Sequence, residues 1–220
     1  MRNKTLETTK RIGTGLSFIL YPIFAGIAFF AHPNLLSLEV GGPVADKVAE
    51  FHGNAFMHFG HFMMFLGVPL LIVTTIKFMR MLEGRSDWLG FIGGVMAVFG
   101  AIVLAADKTA LCLVMSAFES VPEAQYAGLL PGIEALFGFK GYIAILYFLP
   151  LLPVGVLIQA VGLYRTNVIP RWSSVLIIIS MLGMGVSAAV DIDLFGLIAT
   201  IVLAVSYIPL GIQFIRGDLQ

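Results

Sequence analysis

The sequence predicts an all-α protein, a polytopic membrane helix bundle with six transmembrane helices and both termini in the cytoplasm. Three observations carry this prediction: the composition, the length of the apolar stretches and the placement of the basic residues. Of 220 residues, 59% are hydrophobic and 12% are charged, and the mean hydropathy is +0.96. Such a chain is too apolar for water to be its main solvent. Because a crossing takes roughly 20 apolar residues, this length holds about six spans and short loops.

The apolar stretches form a single transmembrane domain, residues 1–220. The first stretch follows Arg11; it is long enough to cross and has no small-residue cleavage site, so we expect a retained helix and not a signal peptide. Thr109–Phe118 is too short to cross alone and is expected to extend the third helix or to lie at the interface. The expected spans are residues 12–31, 55–78, 88–106, 141–164, 172–190 and 194–216.

Five prolines fall inside the expected spans, where each removes a backbone hydrogen bond and tends to kink its helix. Kinks open space between helices and so favour a cavity or a hinge, although membrane helices also tolerate proline without either role. The prolines are Pro22, Pro69, Pro150, Pro153 and Pro209.

The basic residues predict the orientation of the bundle, because cytoplasmic loops of membrane proteins are enriched in Lys and Arg. Ten basic residues lie on the side of the N-terminus and three on the other. We therefore expect a multi-pass protein of the cell membrane, with the first side in the cytoplasm. Six spans return the C-terminus to that side. The ten are Arg2, Lys4, Lys10, Arg11, Lys77, Arg80, Arg85, Arg165, Arg171 and Arg216, and the three are Lys47, Lys108 and Lys140.

All four histidines fall on the expected extracytoplasmic side. His32 closes the first helix, and His52, His58 and His61 lie at or near the start of the second, for which Asn54 is the expected N-cap. Residues three apart on a helix are neighbours, so His58 and His61 could reach one metal ion or one planar cofactor. We take these two as the primary candidate ligands, with His32 or His52 completing the site. Histidines at an interface also commonly bond head groups or loop backbone.

Acidic residues on the same side extend the candidate metal site. Asp107 and Glu119 are candidate ligands beside His52, His58 and His61, and such a set suits zinc, iron or manganese. Nearby methionines and the single cysteine would suit copper instead, so the identity of the metal stays open. Haem b is the other candidate cofactor, and its two imidazoles must lie on opposite faces of the ring. His32 would then have to oppose His58 or His61.

Asp107 and Lys108 adjoin apolar residues on both sides, and ionisable groups at membrane depth usually face a cavity or a partner. Adjacent residues project about 100° apart on an α-helix, so we expect these two not to pair with each other. Asp107 is expected to meet a histidine or Lys140.

The segment Gly162–Ser173 reads GLYRTNVIPRWS. It resembles a turn found in uncharacterised bacterial and archaeal six-helix membrane proteins, in which an Arg/Ser-Thr-x-x-Ile/Leu-Pro-Arg-Trp pattern joins the last long helix to a final helical pair. The resemblance covers about a dozen residues and the order of the spans. It implies the architecture, carries no activity with it and does not include the histidines.

Three classes of function are consistent with these residues. The first is a membrane protein that binds a metal ion or haem near the extracytoplasmic surface, for electron transfer with quinol or for hydrolysis of a lipid. The second is a small transporter whose proline-kinked helices frame a cavity, with Asp107 and Lys108 as its charges. The third is an accessory subunit of a membrane complex. The 13 basic and 13 acidic residues balance, which argues against a nucleic-acid partner.

Overall fold

The computed structural model describes residues 4–38, 51–118, 121–122, 125 and 127–219. Within these residues all regular structure is helical. In chain order the elements are α1 (Lys4–Phe30), α2 (Ala55–Leu82), α3 (Asp87–Asp107), a π turn (Lys108–Leu113), α4 (Val114–Ala117), α5 (Leu130–Phe137), a 3-10 segment (Gly141–Phe148), α6 (Leu151–Thr166), α7 (Arg171–Val190) and α8 (Asp193–Arg216).

Six stretches of this helical structure are long and apolar enough to cross a membrane, so the chain is an integral membrane protein. The third stretch runs on from α3 through the π turn and ends at Ala117, which confirms the expected extension of the third helix. The fourth is not one regular helix over 141–164. It combines α5, the 3-10 segment and α6.

Local sequence signals account for several boundaries. Asn54 is the N-cap of α2, as predicted, and its side-chain oxygen accepts a hydrogen bond from Met57 N at 3.0 Å. Three of the five prolines lie inside helices, namely in α1, α2 and α8. Pro150 and Pro153 instead lie at the start of α6, where proline costs no helical hydrogen bond. Pro150 lies between α6 and the 3-10 segment.

The six long helices form a closed ring. Each of α1, α2, α3, α6, α7 and α8 packs against the next in this order, and α8 packs back on α1. We call the end of the bundle that carries His32 and His61 the histidine end. The opposite end, which carries Arg80, Arg165 and Arg216, is the arginine end.

Helices α1 and α8 close the ring through a contact between two glycines. A Cβ atom on Gly211 would lie 2.6 Å from the backbone oxygen of Gly15, and a Cβ atom on Gly15 would lie 2.6 Å from that of Gly211. Only two glycines let the helices approach this closely. Helices α3 and α6 meet similarly, since a Cβ atom on Gly93 would lie 2.7 Å from Gly155 O.

An aromatic cluster fills the ring on the arginine side of its middle. Phe18 is fully buried, and its ring lies 5.2 Å from that of Phe78, 4.9 Å from that of Tyr207 and 5.1 Å from that of Phe214. These four residues, the Phe18 cluster, come from α1, α2 and α8. Edge-to-face and stacked rings at such separations add to the packing energy, so this half of the interior is tightly packed.

The amide of Gln159 ties helices together in the same half. Gln159 lies in α6 and is fully buried, and its Nε2 donates to Thr75 O at 3.1 Å and to Gly90 O at 3.3 Å. Its partners belong to α2 and α3. Because a buried amide in an apolar interior requires hydrogen-bond partners, these bonds hold three helices at fixed separations.

The ring is looser at the histidine end, where the 3-10 segment takes the place of a regular helix. This segment packs chiefly on α3 and makes at most marginal contact with α7. Eight residues is long for a 3-10 helix, and such stretches often mark hinges. At the histidine end of the fourth crossing, the 3-10 segment therefore makes little contact with α7.

The glycine contact between α1 and α8 gives a test of the ring. We expect Gly211→Ala to destabilise the protein by about 2 kcal/mol, because the added methyl group overlaps Gly15 O. The midpoint of thermal unfolding in detergent should fall by roughly 4–8 °C. Gly13→Ala is the matched control, since a Cβ atom at Gly13 meets nothing within 4 Å. An unchanged midpoint in Gly211→Ala would show that the two helices do not cross there.

Candidate ligand cavity

A cavity of about 590 Å³ occupies the centre of the ring, within the size range of small-molecule sites. All six long helices and the 3-10 segment contribute to its wall. Most lining side chains are apolar, among them Met64, Leu104, Val156, Met181 and Leu203. The charged residues and histidines of the lining gather at the histidine end.

The cavity reaches deep into the bundle. Asp193 and Tyr207 both line it and stand roughly four turns apart on α8, a distance of about 20 Å. Tyr207 also belongs to the Phe18 cluster, which therefore forms the floor of the cavity. The lining residues thus run from the histidine end to about the middle of the bundle, where the buried Phe18 cluster begins.

Two acid–base pairs line the cavity at the histidine end, which we call its mouth. Nδ1 of His32 lies 2.8 Å from Oδ2 of Asp193, so its N–H donates to that carboxylate. Nζ of Lys108 lies 3.0 Å from Oδ2 of Asp107. We call these four residues together with His61 the polar cluster. The first pair joins α8 to the end of α1, and the second stands where α3 passes into the π turn.

The pairing of Asp107 with Lys108 contradicts the expectation that adjacent residues would not meet. Lys108 begins the π turn, in which i→i+5 hydrogen bonds widen the helix and reduce the angle between successive side chains. The long, flexible stem of the lysine then lets its ammonium group turn back to the carboxylate. Asp107 itself is buried, 7% exposed, so the pair compensates a charge that would otherwise be costly there.

His61 lines the cavity, and the described residues offer its ring no hydrogen bond. It is 3% exposed, its ring stacks on that of Phe51 at 5.5 Å with planes 12° apart, and the His32 ring meets it edge to face at 5.0 Å. Among the described residues, neither ring nitrogen of His61 has a hydrogen-bond partner. A buried polar group left unpaired costs free energy, so a hydrogen-bond partner for this imidazole would stabilise the site.

The other predicted ligands occupy different surroundings. His58 is buried, and its Nε2–H donates to Phe51 O at 3.0 Å. His52 is exposed on the turn before α2 and does not line the cavity. Glu119 lies outside the described residues. Within the part of the chain that is described, no three His, Cys, Asp or Glu side chains lie close enough together to hold a metal ion.

Exposed residues among those that line the cavity indicate an opening at the side of the bundle. Tyr147 and Pro150 lie on one edge of it, and Gly185, Ala188 and Ala189 of α7 lie on the other. All five residues are exposed and also line the cavity. This lateral opening coincides with the weak contact between the 3-10 segment and α7.

Sequence reasoning did not find Asp193, Phe51 or Tyr207. An acidic residue in the first turn of a helix is common because it stabilises the helix dipole, so Asp193 carried no sign of a partner on α1. Aromatic residues occur on every span, and nothing in their spacing marks the few that face the cavity.

No protein-family model, curated protein or solved structure matches the chain. No family is therefore identified, and the resemblance of the Gly162–Ser173 turn bears on architecture alone.

The charge pair at the cavity mouth can be tested by a double-mutant cycle. Asp107→Leu or Lys108→Met should each lower the free energy of unfolding by about 2 kcal/mol, because each leaves a poorly solvated charge unpaired. The double variant should lose less than either single one. Stability in detergent, followed by helical circular dichroism, gives all three values. Additive losses would show that the two side chains do not interact.

Proposed function

We propose that this integral membrane protein binds an amphipathic small molecule in its central cavity. The observation that carries the proposal is the division of the cavity, with a polar cluster at the mouth and an apolar interior below it. Such a cavity suits a molecule with one polar end and one hydrocarbon end. Quinols and single lipids are molecules of this shape, and both are present in membranes.

The two parts of the ligand have separate places in this proposal. The hydrocarbon portion lies among Met64, Leu104, Val156 and Met181, down to the Phe18 cluster. Its transfer from water or from the interface into an apolar wall supplies most of the binding energy. The head lies in the polar cluster, where His61 offers its unpaired nitrogens.

We further propose that the ligand reaches the cavity from the lipid, through the lateral opening. A hydrocarbon chain would then pass between the 3-10 segment and α7 without crossing water. The absence of a side chain at Gly185 supports this route, since a Cβ atom there would meet nothing within 4 Å. The 3-10 segment is long and contacts α7 only weakly, and both properties suit a segment that moves aside when the ligand enters.

We propose that this site lies at the outer surface of the cell membrane. Ten basic residues at or near the arginine side against three on the other support cytoplasmic termini. The histidine end, the polar cluster and the lateral opening would then belong to the outer leaflet.

Transport of the same class of molecule is a second candidate. It is favoured by the depth of the cavity, which extends from charged residues at one end to the middle of the bundle. Release at the arginine end would require the rings around Phe18 to separate, together with α1 and α8. An accessory role in a larger complex stays a prediction.

A metal or haem site has weaker support. The His32 and His61 rings touch at 5.0 Å, which leaves no room between them for the plane of a haem. The nearest described carboxylates already have basic partners, Asp107 with Lys108 and Asp193 with His32. Metal binding by His58 and His61 stays a prediction.

Reporter fusions test the orientation. We expect green fluorescent protein fused after Gln220 to fluoresce, because it folds in the cytoplasm, and alkaline phosphatase at the same position to be inactive. A phosphatase inserted after Asp191, at the histidine end between α7 and α8, should be active. The reverse pattern would mean that the C-terminus is extracytoplasmic and that the cavity mouth lies on the cytoplasmic side.

Blocking the lateral opening tests ligand binding. Decanol, radiolabelled and presented to the protein in nanodiscs, should bind beyond its partition into empty discs. Gly185→Phe should weaken this binding about tenfold, or 1.4 kcal/mol, because the ring occupies the opening and the adjacent cavity. Gly13→Phe is the matched control, since its side chain also enters open space but lies far from the cavity. Equal binding by both variants would argue against the proposed site.

A further inference from the structure

We infer that the head of the bound molecule is uncharged and carries a hydroxyl group that pairs with His61. This inference rests on the proposed function and names the class of ligand: a lipophilic alcohol, phenol or quinol, and not a fatty acid, a phospholipid or a lipophilic cation. Three features of the polar cluster support it. They are the hydrogen-bonding capacity of His61, the charges around the cavity mouth and the geometry of His32.

His61 is the first feature. In a neutral imidazole one nitrogen donates and the other accepts, and the tautomer decides which. A hydroxyl group both donates and accepts, so it can pair with either ring nitrogen. A carboxylate or phosphate pairs only with the N–H, a primary ammonium only with the lone pair, and a quaternary ammonium with neither. Of these heads, the hydroxyl alone satisfies His61 in both tautomers.

The neutral state of His61 follows from its position. The ring is 3% exposed, packed against Phe51 and His32, and shares the cavity with the ammonium group of Lys108. A second positive charge in so apolar a place would be costly. A neutral partner is consistent with a neutral imidazole, whereas an anionic head would call for an imidazolium.

The charges at the mouth are the second feature. Among the described residues, the lining contains one lysine and three aspartates, Lys108 with Asp107, Asp191 and Asp193. Lys108 already lies 3.0 Å from Asp107, so its charge is compensated. Among the described residues of the lining, an anionic head would meet further carboxylates and no lysine without a carboxylate partner. Like charges brought together in an apolar site repel strongly, so the cavity selects against fatty acids and phosphates.

A cationic head is disfavoured for a different reason. Asp107 and Asp193 already face Lys108 and His32, so a cation would have to displace one of these partners or remain close to the lysine. It would also leave the N–H of His61 unpaired, which costs about as much as a lost hydrogen bond.

His32 is the third feature. Its Nδ1–H is donated to Asp193, so in the neutral ring the other nitrogen can only accept a hydrogen bond. The edge contact of His32 with His61 places a second acceptor beside the first ring. A hydroxyl hydrogen can serve such an acceptor, and a carboxylate cannot. A molecule with two hydroxyl groups, such as a quinol or a glycerol monoester, could engage both rings.

Three probes with the same ten-carbon chain and different heads test the inference: decanol, decanoate and decyltrimethylammonium. Binding to the full-length protein in nanodiscs is measured for each and corrected for partition into empty discs. We expect decanol to bind about tenfold more tightly than either ion, the amount that one or two hydrogen bonds supply. An ion that binds as tightly as decanol overturns the inference and leaves the proposed function standing. Failure of all three to bind overturns both.

Variants of His61 assign the selectivity to this ring. His61→Phe keeps an aromatic ring against Phe51 and removes both nitrogens, so the preference for decanol should disappear. His61→Gln restores a donor and an acceptor and should keep part of the preference, which separates hydrogen bonding from folding. His52→Gln, on the exposed turn, should bind like the unaltered protein. A preference that survives in His61→Phe would overturn the assignment to His61.

Discussion

Helices α1 and α8 begin and end the bundle, and they touch backbone to backbone at Gly15 and Gly211. Lipid supplies no hydrophobic force between helices, so close packing of small residues has to hold the ring shut. The same contact sets both ends of the cavity. On one side it places Phe18 against Tyr207, which forms the floor, and on the other it brings the end of α1 to the start of α8, where His32 meets Asp193.

The two halves of the bundle differ in how firmly they are packed. The arginine half contains the Phe18 cluster and the hydrogen bonds of Gln159, which cross between three helices. The histidine half holds the cavity, the 3-10 segment and the lateral opening. Low-stability elements are commonly those that move for binding. If the Phe18 cluster stays fixed while the 3-10 segment moves, the protein can admit a bulky molecule and keep its helices packed.

The sequence predicted six helical stretches long and apolar enough to cross a membrane, and it did not predict how the residues around the cavity pair. Composition and span length determine a helical membrane bundle, and Asn54 marks the start of α2 through its own side chain. The pairing of His32 with Asp193 joins distant parts of the chain and depends on ring closure, which no local pattern encodes. The π turn and the 3-10 segment were also missed, because helices with i→i+3, i→i+4 and i→i+5 bonds share nearly the same apolar composition. Whether His61 finds a hydrogen-bond partner depends on how its ring packs against Phe51, and residue spacing does not predict such packing.

A helix that changes from i→i+4 to i→i+5 bonds, as the third crossing does at Lys108, contains one residue more than its length requires. That surplus rotates the two parts of the crossing relative to each other, and Asp107 meets Lys108 at the junction. Deleting any one residue between Lys108 and Leu113 would leave an apolar helical crossing but change the face on which the charges stand. The site is therefore tied to the number of residues as well as to their identity, and a shortening of the chain here would alter it while every charged side chain remained.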